Sequence, residues 1–145
     1  MAGTVIIQRA WFTRSQLQEE TDRLFAWGDN LARYGGARNP KSGQAFACRG
    51  EPNAVGIPTK RLPSMKEGSF LCDGDNAPGS PVVAEIDEAF TRLAAHLAAG
   101  GTIVWPRDGI GTGRALLKEK APAVWSRLER YRRELFDRAD EVRTV

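Results

Sequence analysis

Short apolar runs alternate along the chain with stretches in which apolar residues recur every three or four positions. The runs predict strands over residues 5–7, 23–27, 54–59 and 102–105. Pro58 should end the third strand or place it at a sheet edge. The clearest helix is predicted over residues 82–99, and Gly100 and Gly101 end it.

Shorter helices are predicted elsewhere in the chain. Thr13 is expected to cap a short helix at its N-terminus. Pro40 fits the first turn of a second helix over residues 39–48. A further helix is predicted from about Gly113 and resumes after Pro122.

The order of these elements predicts the fold class. Strands that alternate with helices indicate an α/β protein with three layers, in which helices cover both faces of a sheet. We assign residues 1–138 to a single domain, a normal size for one hydrophobic core. Residues 139–145 are predicted to form a frayed C-terminal tail.

Two glycine-rich segments each follow a predicted strand and precede a helix-compatible stretch. The first runs from Gly28-Asp29-Asn30 to Gly35-Gly36-Ala37, and the second is Asp108-Gly109-Ile110-Gly111-Thr112-Gly113. Glycine lets the backbone approach a phosphate closely, and backbone N–H groups at a helix start attract anions. Because ligands of α/β sheets bind at the carboxyl ends of strands, two such loops would suit a diphosphate. Tight turns between strand and helix are the alternative explanation.

Polar side chains in the same segments are the candidates for chemistry. Asp29 and Asn30 directly follow the second strand, which Gly28 is expected to stop. They could hydrogen-bond sugar hydroxyls or orient a water molecule, or they could form an Asx turn. Thr112 offers a hydroxyl donor in the second segment. The sequence around it is neither a Walker A loop nor a dinucleotide-fold fingerprint, because the required spacings are absent.

The net charge of +3 is concentrated at the C-terminus. The stretch from Arg114 to the end holds nine Lys and Arg against six Asp and Glu, and the rest of the chain balances. The excess lies around Arg127, Arg130, Arg132 and Arg133. These arginines predict either a nucleic-acid patch or a solvated helix face with mixed charges.

Cysteine usage and hydropathy narrow the cellular compartment that the sequence predicts. Cys48 and Cys72 lack the spacing of a metal site and predict free thiols in a reducing, cytoplasmic compartment. With His96 the cysteines are too few and too scattered for a zinc site, so no metal is expected, and no cofactor is predicted. No apolar run is long enough to span a bilayer, and the N-terminus predicts a strand rather than a signal peptide.

The two glycine-rich segments together resemble the macrodomain family, which binds ADP-ribose. The chain is still more similar to an uncharacterised macrodomain-like family of bacteria and phages. The segments that carry this likeness are Gly28-Asp29-Asn30-Leu31, Arg49-Gly50-Glu51-Pro52-Asn53-Ala54, Gly56-Ile57-Pro58-Thr59-Lys60 and Asp108-Gly109-Ile110-Gly111-Thr112-Gly113. The resemblance implies a three-layer sandwich with a mixed central sheet.

The resemblance also implies roles for individual residues. Asn30 would orient the distal ribose, and Asp29 could polarise a water molecule. The chain carries Gly28-Asp29-Asn30-Leu31 where hydrolytic macrodomains typically carry Asn-Ala-Ala-Asn. The ligand would be held by Gly28, Gly35, Gly36, Ala37, Gly109, Ile110, Gly111, Thr112 and Gly113.

These observations support three hypotheses. The first is binding of ADP-ribose or a related NAD-derived nucleotide, which could include removal of ADP-ribose from a modified target. The second is a non-catalytic phage or defence protein that binds a nucleotide signal or a modified nucleic acid. The third is an interaction domain whose glycines only make turns.

Overall fold

A computed structural model describes residues 2–145 and shows an α/β fold around one five-stranded sheet. The strands are β1 (Thr4–Gln8), β2 (Arg23–Asn30), β3 (Ala54–Lys60), β4 (Thr102–Pro106) and β5 (Glu141–Thr144). Their order is β3-β2-β4-β1-β5, and every neighbouring pair is parallel. The expected mixed sheet is therefore wrong. Each connection between consecutive strands contains a helix, so the chain re-enters the sheet in the same direction each time.

Helices lie against both faces of the sheet. They are α1 (Arg14–Glu19), α2 (Gln44–Cys48), α3 (Pro81–Ala98), α4 (Leu117–Lys120) and α5 (Pro122–Arg138). Successive residues of β2 alternate between the two cores, as the pleat requires. Phe25 packs in a cluster with Leu17 of α1, whereas Leu24 packs in a cluster with Ile86 of α3 and Leu128 of α5. None of these helices is long and apolar enough to cross a membrane.

Several predicted elements are confirmed. The side chain of Thr13 caps α1 by accepting a hydrogen bond from the backbone N–H of Gln16 at 3.1 Å. The helix predicted over residues 82–99 is α3. Pro58 lies in β3 at the edge of the sheet, where a missing N–H is tolerated.

Other boundaries differ from the prediction. Gly28 does not stop β2, which continues to Asn30 because β3 and β2 remain paired beyond it. The helix predicted over residues 39–48 is divided at Gly43, whose φ of +62° belongs to the left-handed region. A single 3₁₀ turn precedes that glycine, and α2 follows it.

The C-terminal segment is not a frayed tail, because it forms the edge strand β5 beside β1. The backbone N–H of Arg9 donates to the carbonyl of Val145 at 2.9 Å, and the N–H of Val145 donates to Ile7 at 2.9 Å. Every side chain of β5 is exposed. The strand therefore shows no alternation of apolar and polar residues, and its backbone pairing left no signal in the sequence.

The topology creates a crevice at one end of the sheet. The chain leaves the carboxyl end of β2 towards the edge strand β3, and it leaves the adjacent β4 towards the opposite edge strand β5. Connections that diverge from neighbouring parallel strands open a crevice between them, where ligands of such folds bind.

Both cysteines are free thiols, as predicted. Cys48 is buried under the sheet, and burial raises the pKa of its thiol to about 12. Cys72 is exposed. The two thiols should therefore differ strongly in reactivity, since only the thiolate is a nucleophile and access is also required.

We predict that one thiol of the native protein reacts with a chromogenic disulfide reagent at pH 8 and that the second reacts only after denaturation. The change in absorbance on thiol release measures both phases. Cys72→Ser should remove the fast phase, whereas Cys48→Ser should leave it intact. A fast phase that survives Cys72→Ser would show that the core around Cys48 opens readily.

Candidate functional site

Both glycine-rich segments line one cleft of about 660 Å³ at the carboxyl ends of the strands. Its walls come from the segments that follow β1, β2 and β4 and from the end of β3. Ala37 is not part of the lining. The predicted residues that do line the cleft are Gly28, Asp29, Asn30, Gly35, Gly36, Gly109, Ile110, Gly111, Thr112 and Gly113.

The second glycine segment has a backbone that suits glycine at every other residue. Gly109, Gly111 and Gly113 have φ values of +84°, +88° and +58°. A Cβ on Gly111 would lie 2.8 Å from Cδ2 of Leu117, so the loop also packs tightly against α4. Thr112 stabilises the turn by donating from Oγ1 to the carbonyl of Asp108 at 2.7 Å. That hydroxyl is thus already engaged, contrary to its expected use as a ligand donor.

The same loop offers a run of backbone donors. The N–H groups of residues 110–114 have no hydrogen-bond acceptor within residues 2–145, and all five residues line the cleft. Consecutive backbone N–H groups in a tight loop form a concave site for an anion. The loop can therefore bind a phosphate group through its main chain alone.

The first glycine segment is closed by Asn30. Its Nδ2 donates to the carbonyl of Tyr34 at 2.8 Å, and its Oδ1 accepts from the N–H of Tyr34 at 3.5 Å. Between them, Arg33 adopts a left-handed φ of +60°. The N–H groups of residues 35–38 follow and have no acceptor within residues 2–145. The segment is a second run of backbone donors.

The carboxylate of Asp29 is buried and saturated with donors. Its side chain is 3% exposed. Oδ1 accepts from the N–H of Asn30 and lies 2.7 Å from Nη2 of Arg49. Oδ2 accepts from Nη1 of Arg49 at 2.8 Å and from Nη1 of Arg33 at 3.2 Å. A carboxylate with this many donors is poorly placed to take a proton from water, so the geometry gives Asp29 a structural role.

Arg49 connects Asp29 to the first glycine loop by hydrogen bonds. Its Nε donates to the carbonyl of Gly35 at 3.2 Å, and its Nη2 donates to the carbonyl of Tyr34 at 3.0 Å. The guanidinium also stacks over the ring of Trp27, 4.9 Å from its centroid. One planar side chain thus fixes the loop to β2 in the fork geometry that only arginine provides.

Two residues of β3 complete this arrangement. A Cβ on Gly56 would lie 2.7 Å from Nη1 of Arg33 and 2.9 Å from Oδ2 of Asp29, so only glycine leaves room for the pair. Thr59 donates from Oγ1 to the backbone carbonyl of Asp29 at 3.2 Å. We call Asp29, Arg33, Arg49 and Gly56 the Asp29 clamp.

The cleft is strongly cationic. Among the described residues, two carboxylates line it: Asp29, which the clamp neutralises, and Asp108, which lies 3.2 Å from Nε of Arg107. Its cationic residues are Arg9, Lys41, Arg49, Lys60, Arg107 and Arg114. Such a cleft attracts anions and raises their local concentration.

Lys60 is the most buried of these cations. Only 9% of the residue is exposed, and its Nζ donates to the carbonyl of Ser64 and lies 4.9 Å from the ring centroid of Phe70. Burial, with the charge of Arg114 as a second cause, lowers the pKa of the Lys60 amine. An anion bound beside these two cations would offset both effects.

Sequence reasoning placed the two loops correctly and missed the residue that joins them to the sheet. Arg49 belongs to a segment quoted for its family likeness, but nothing in its spacing shows that it contacts Asp29. Two of the four arginines of α5 that the sequence singled out have polar side-chain partners. Arg127 bonds Asn76 at 2.6 Å, and Arg132 lies 2.8 Å from Glu129. A nucleic-acid patch on α5 stays a prediction.

Residues 7–131 match a family of unknown function, DUF7831, and the chain belongs to this family. No curated protein and no solved structure matches the chain significantly. Within residues 2–145, no group of three or more His, Cys, Asp and Glu side chains is arranged to hold a metal ion.

The clamp predicts that two arginine substitutions will differ in cost. Arg49→Ala leaves the buried Asp29 with one ion pair and releases the first glycine loop, so it should lower the free energy of unfolding by about 3–5 kcal/mol. Arg33→Ala removes a partner that is 36% exposed, and it should cost about 1 kcal/mol or less. Urea denaturation followed by circular dichroism measures both. Equal losses of stability in the two variants would contradict the view that Arg49 is the main partner of Asp29.

Proposed function

We propose that this protein binds ADP-ribose or a related NAD-derived nucleotide in the cleft, on a macrodomain-like three-layer scaffold in the cytoplasm. One observation carries the proposal: two runs of backbone N–H groups, at residues 35–38 and 110–114, have no acceptor in the described part of the chain and belong to loops that line one cationic cleft. A diphosphate presents the paired anionic centres that two such runs can bind.

The binding mode follows from the site. The N–H groups of the two loops hold the phosphates, and the surrounding cations draw the anion in and offset its desolvation. Gly28 lines the cleft between Thr59 and the second loop, because a Cβ there would lie 3.5 Å from Oγ1 of Thr59 and 3.6 Å from Cγ2 of Ile110. A ribose bound on the side of Asn30 would meet an amide that Tyr34 already orients.

Binding without hydrolysis is the version of this function that the contacts favour. Asp29 is saturated by Arg33, Arg49 and the N–H of Asn30, and Asn30 closes its own loop. Neither side chain is left to activate water. This supports a protein that recognises or sequesters a nucleotide, the second of the hypotheses drawn from the sequence.

Calorimetry with ADP-ribose tests the proposed function. We expect saturable binding that weakens as salt is raised, because the site is cationic. Arg114 lines the cleft and has no ion pair within residues 2–145. Arg114→Ala should therefore weaken binding about tenfold.

Lys118→Ala is the matched control, since Lys118 is an exposed cation of α4 outside the cleft. It should bind ADP-ribose like the wild type. The absence of both binding heat and thermal shift at millimolar ADP-ribose would contradict the proposal. An equal loss of affinity in both variants would show that net charge, and not the position of Arg114 in the cleft, causes the effect.

Asp29→Asn separates a structural role from a catalytic one. The amide leaves Arg49 without its counter-charge and leaves Arg33 with Glu85 alone, 3.6 Å from its Nη2, so the melting temperature should fall by about 10 °C. Affinity for ADP-ribose should fall with it, and the wild type should release no ADP-ribose from a modified peptide. Wild-type turnover that disappears in Asp29→Asn at an unchanged melting temperature would establish catalysis instead.

A further inference from the structure

One part of the cleft is lined by aromatic side chains and by the start of α2. Trp11 lies there, after β1, and remains 65% exposed. Trp27 lines the same cleft from β2 and is 3% exposed. The segment that carries Trp11 is anchored by its neighbour Phe12, which packs edge-on against Phe25 with ring centroids 5.3 Å apart.

Trp11 is held in place although it is exposed. Its Cζ3 atom lies 3.2 Å from the position of a Cβ on Gly43, so the absence of that Cβ lets the indole rest against the start of α2. Gln8 donates from Nε2 to the carbonyl of Ala10 at 3.1 Å and shares a reciprocal amide pair with Gln16. A large aromatic surface that is both fixed and exposed is preorganised to stack on a flat ring.

Two residues that line the same cleft each carry a buried polar atom that has no partner within residues 2–145. The two atoms are Nε1 of Trp27, a donor, and Oε1 of Gln44, an acceptor. Gln44 directly follows Gly43, against which Trp11 rests. Buried polar groups without a hydrogen bond are rare in folded proteins and call for a specific explanation. Both atoms have almost no exposed surface, so a bound molecule that carries an acceptor and a donor would satisfy them once a small shift of the two side chains uncovers them.

We propose that Trp11, Trp27 and Gln44 form a nucleobase subsite, an inference that rests on the proposed nucleotide binding. The base stacks on Trp11, and its edge donates to Oε1 of Gln44 and accepts from Nε1 of Trp27. Adenine presents an exocyclic amine beside a ring-nitrogen acceptor and fits this pair. The phosphates attached to it reach the glycine loops of the same cleft.

The test compares ADP-ribose with inorganic pyrophosphate, which lacks a base, by calorimetry on wild type and variants. Trp11→Ala should weaken ADP-ribose binding by about 5- to 150-fold, the range found when a stacked aromatic is removed. It should change pyrophosphate binding less than about twofold. Trp11→Phe should recover most of the affinity, and Gln44→Ala should weaken only ADP-ribose.

Phe46→Ala is the control for loss of an exposed aromatic, because Phe46 is 41% exposed on α2 and lies outside the cleft. It should bind both ligands like the wild type. Loss of both ligands alike in Trp11→Ala, or no loss of ADP-ribose, would overturn the subsite. A wild type that binds pyrophosphate as tightly as ADP-ribose would overturn the subsite alone. One that binds neither would overturn the proposed function with it.

Discussion

The buried carboxylate of Asp29 ties together the segments that build the cleft. It lies near the end of β2 and is held by Arg49 from the end of α2 and by Arg33 from the first glycine loop. Gly56 of β3 leaves the space that the ion pairs occupy. Removing Arg49, the less exposed of the two arginines, leaves the buried carboxylate with only the partly exposed Arg33, which is far more costly than losing Arg33 while Arg49 stays in place.

The two glycine loops are held in place at the cleft by different contacts. The first depends on side chains, because Arg49 and Asn30 bind its carbonyls. The second depends on its own backbone, on Thr112 and on close packing of Gly111 against Leu117. Both leave consecutive N–H groups that have no acceptor among the residues that the structure describes. Consecutive backbone donors of this kind suit an anion, and the surrounding cations would add long-range attraction.

Much of the fold could be predicted from local patterns. The spacing of Ile86, Phe90 and Leu93 defined α3, and the cap at Thr13 defined the start of α1, because these signals are contained within a few residues. Strand β5 could not be predicted, since its side chains are exposed and only its backbone pairs. The mixed sheet was expected from the family resemblance, whereas a helix in every connection between strands returns the chain in the same direction and makes the sheet parallel.

The two loops of the candidate site could be predicted from the sequence, but the side-chain contacts that hold them in place could not. Glycines at the ends of strands predict that the backbone comes close to a ligand or to another segment. The structure places both glycine segments at one cleft. The contact of Arg49 with Asp29 joins residues from different elements and has no local signature. Asp29 suggested catalysis for the same reason. A carboxylate beside a glycine loop is a candidate general base, and the sequence does not show the hydrogen-bond donors that surround it.

Amide chemical shifts in a titration with ADP-ribose test the central claim most directly. The account predicts that the largest shifts fall on the N–H groups of residues 35–38 and 110–114, saturate together and weaken with added salt. Shifts confined to the arginine-rich helix α5, or a complete absence of shifts at millimolar ligand, would contradict a phosphate site built from the two loops.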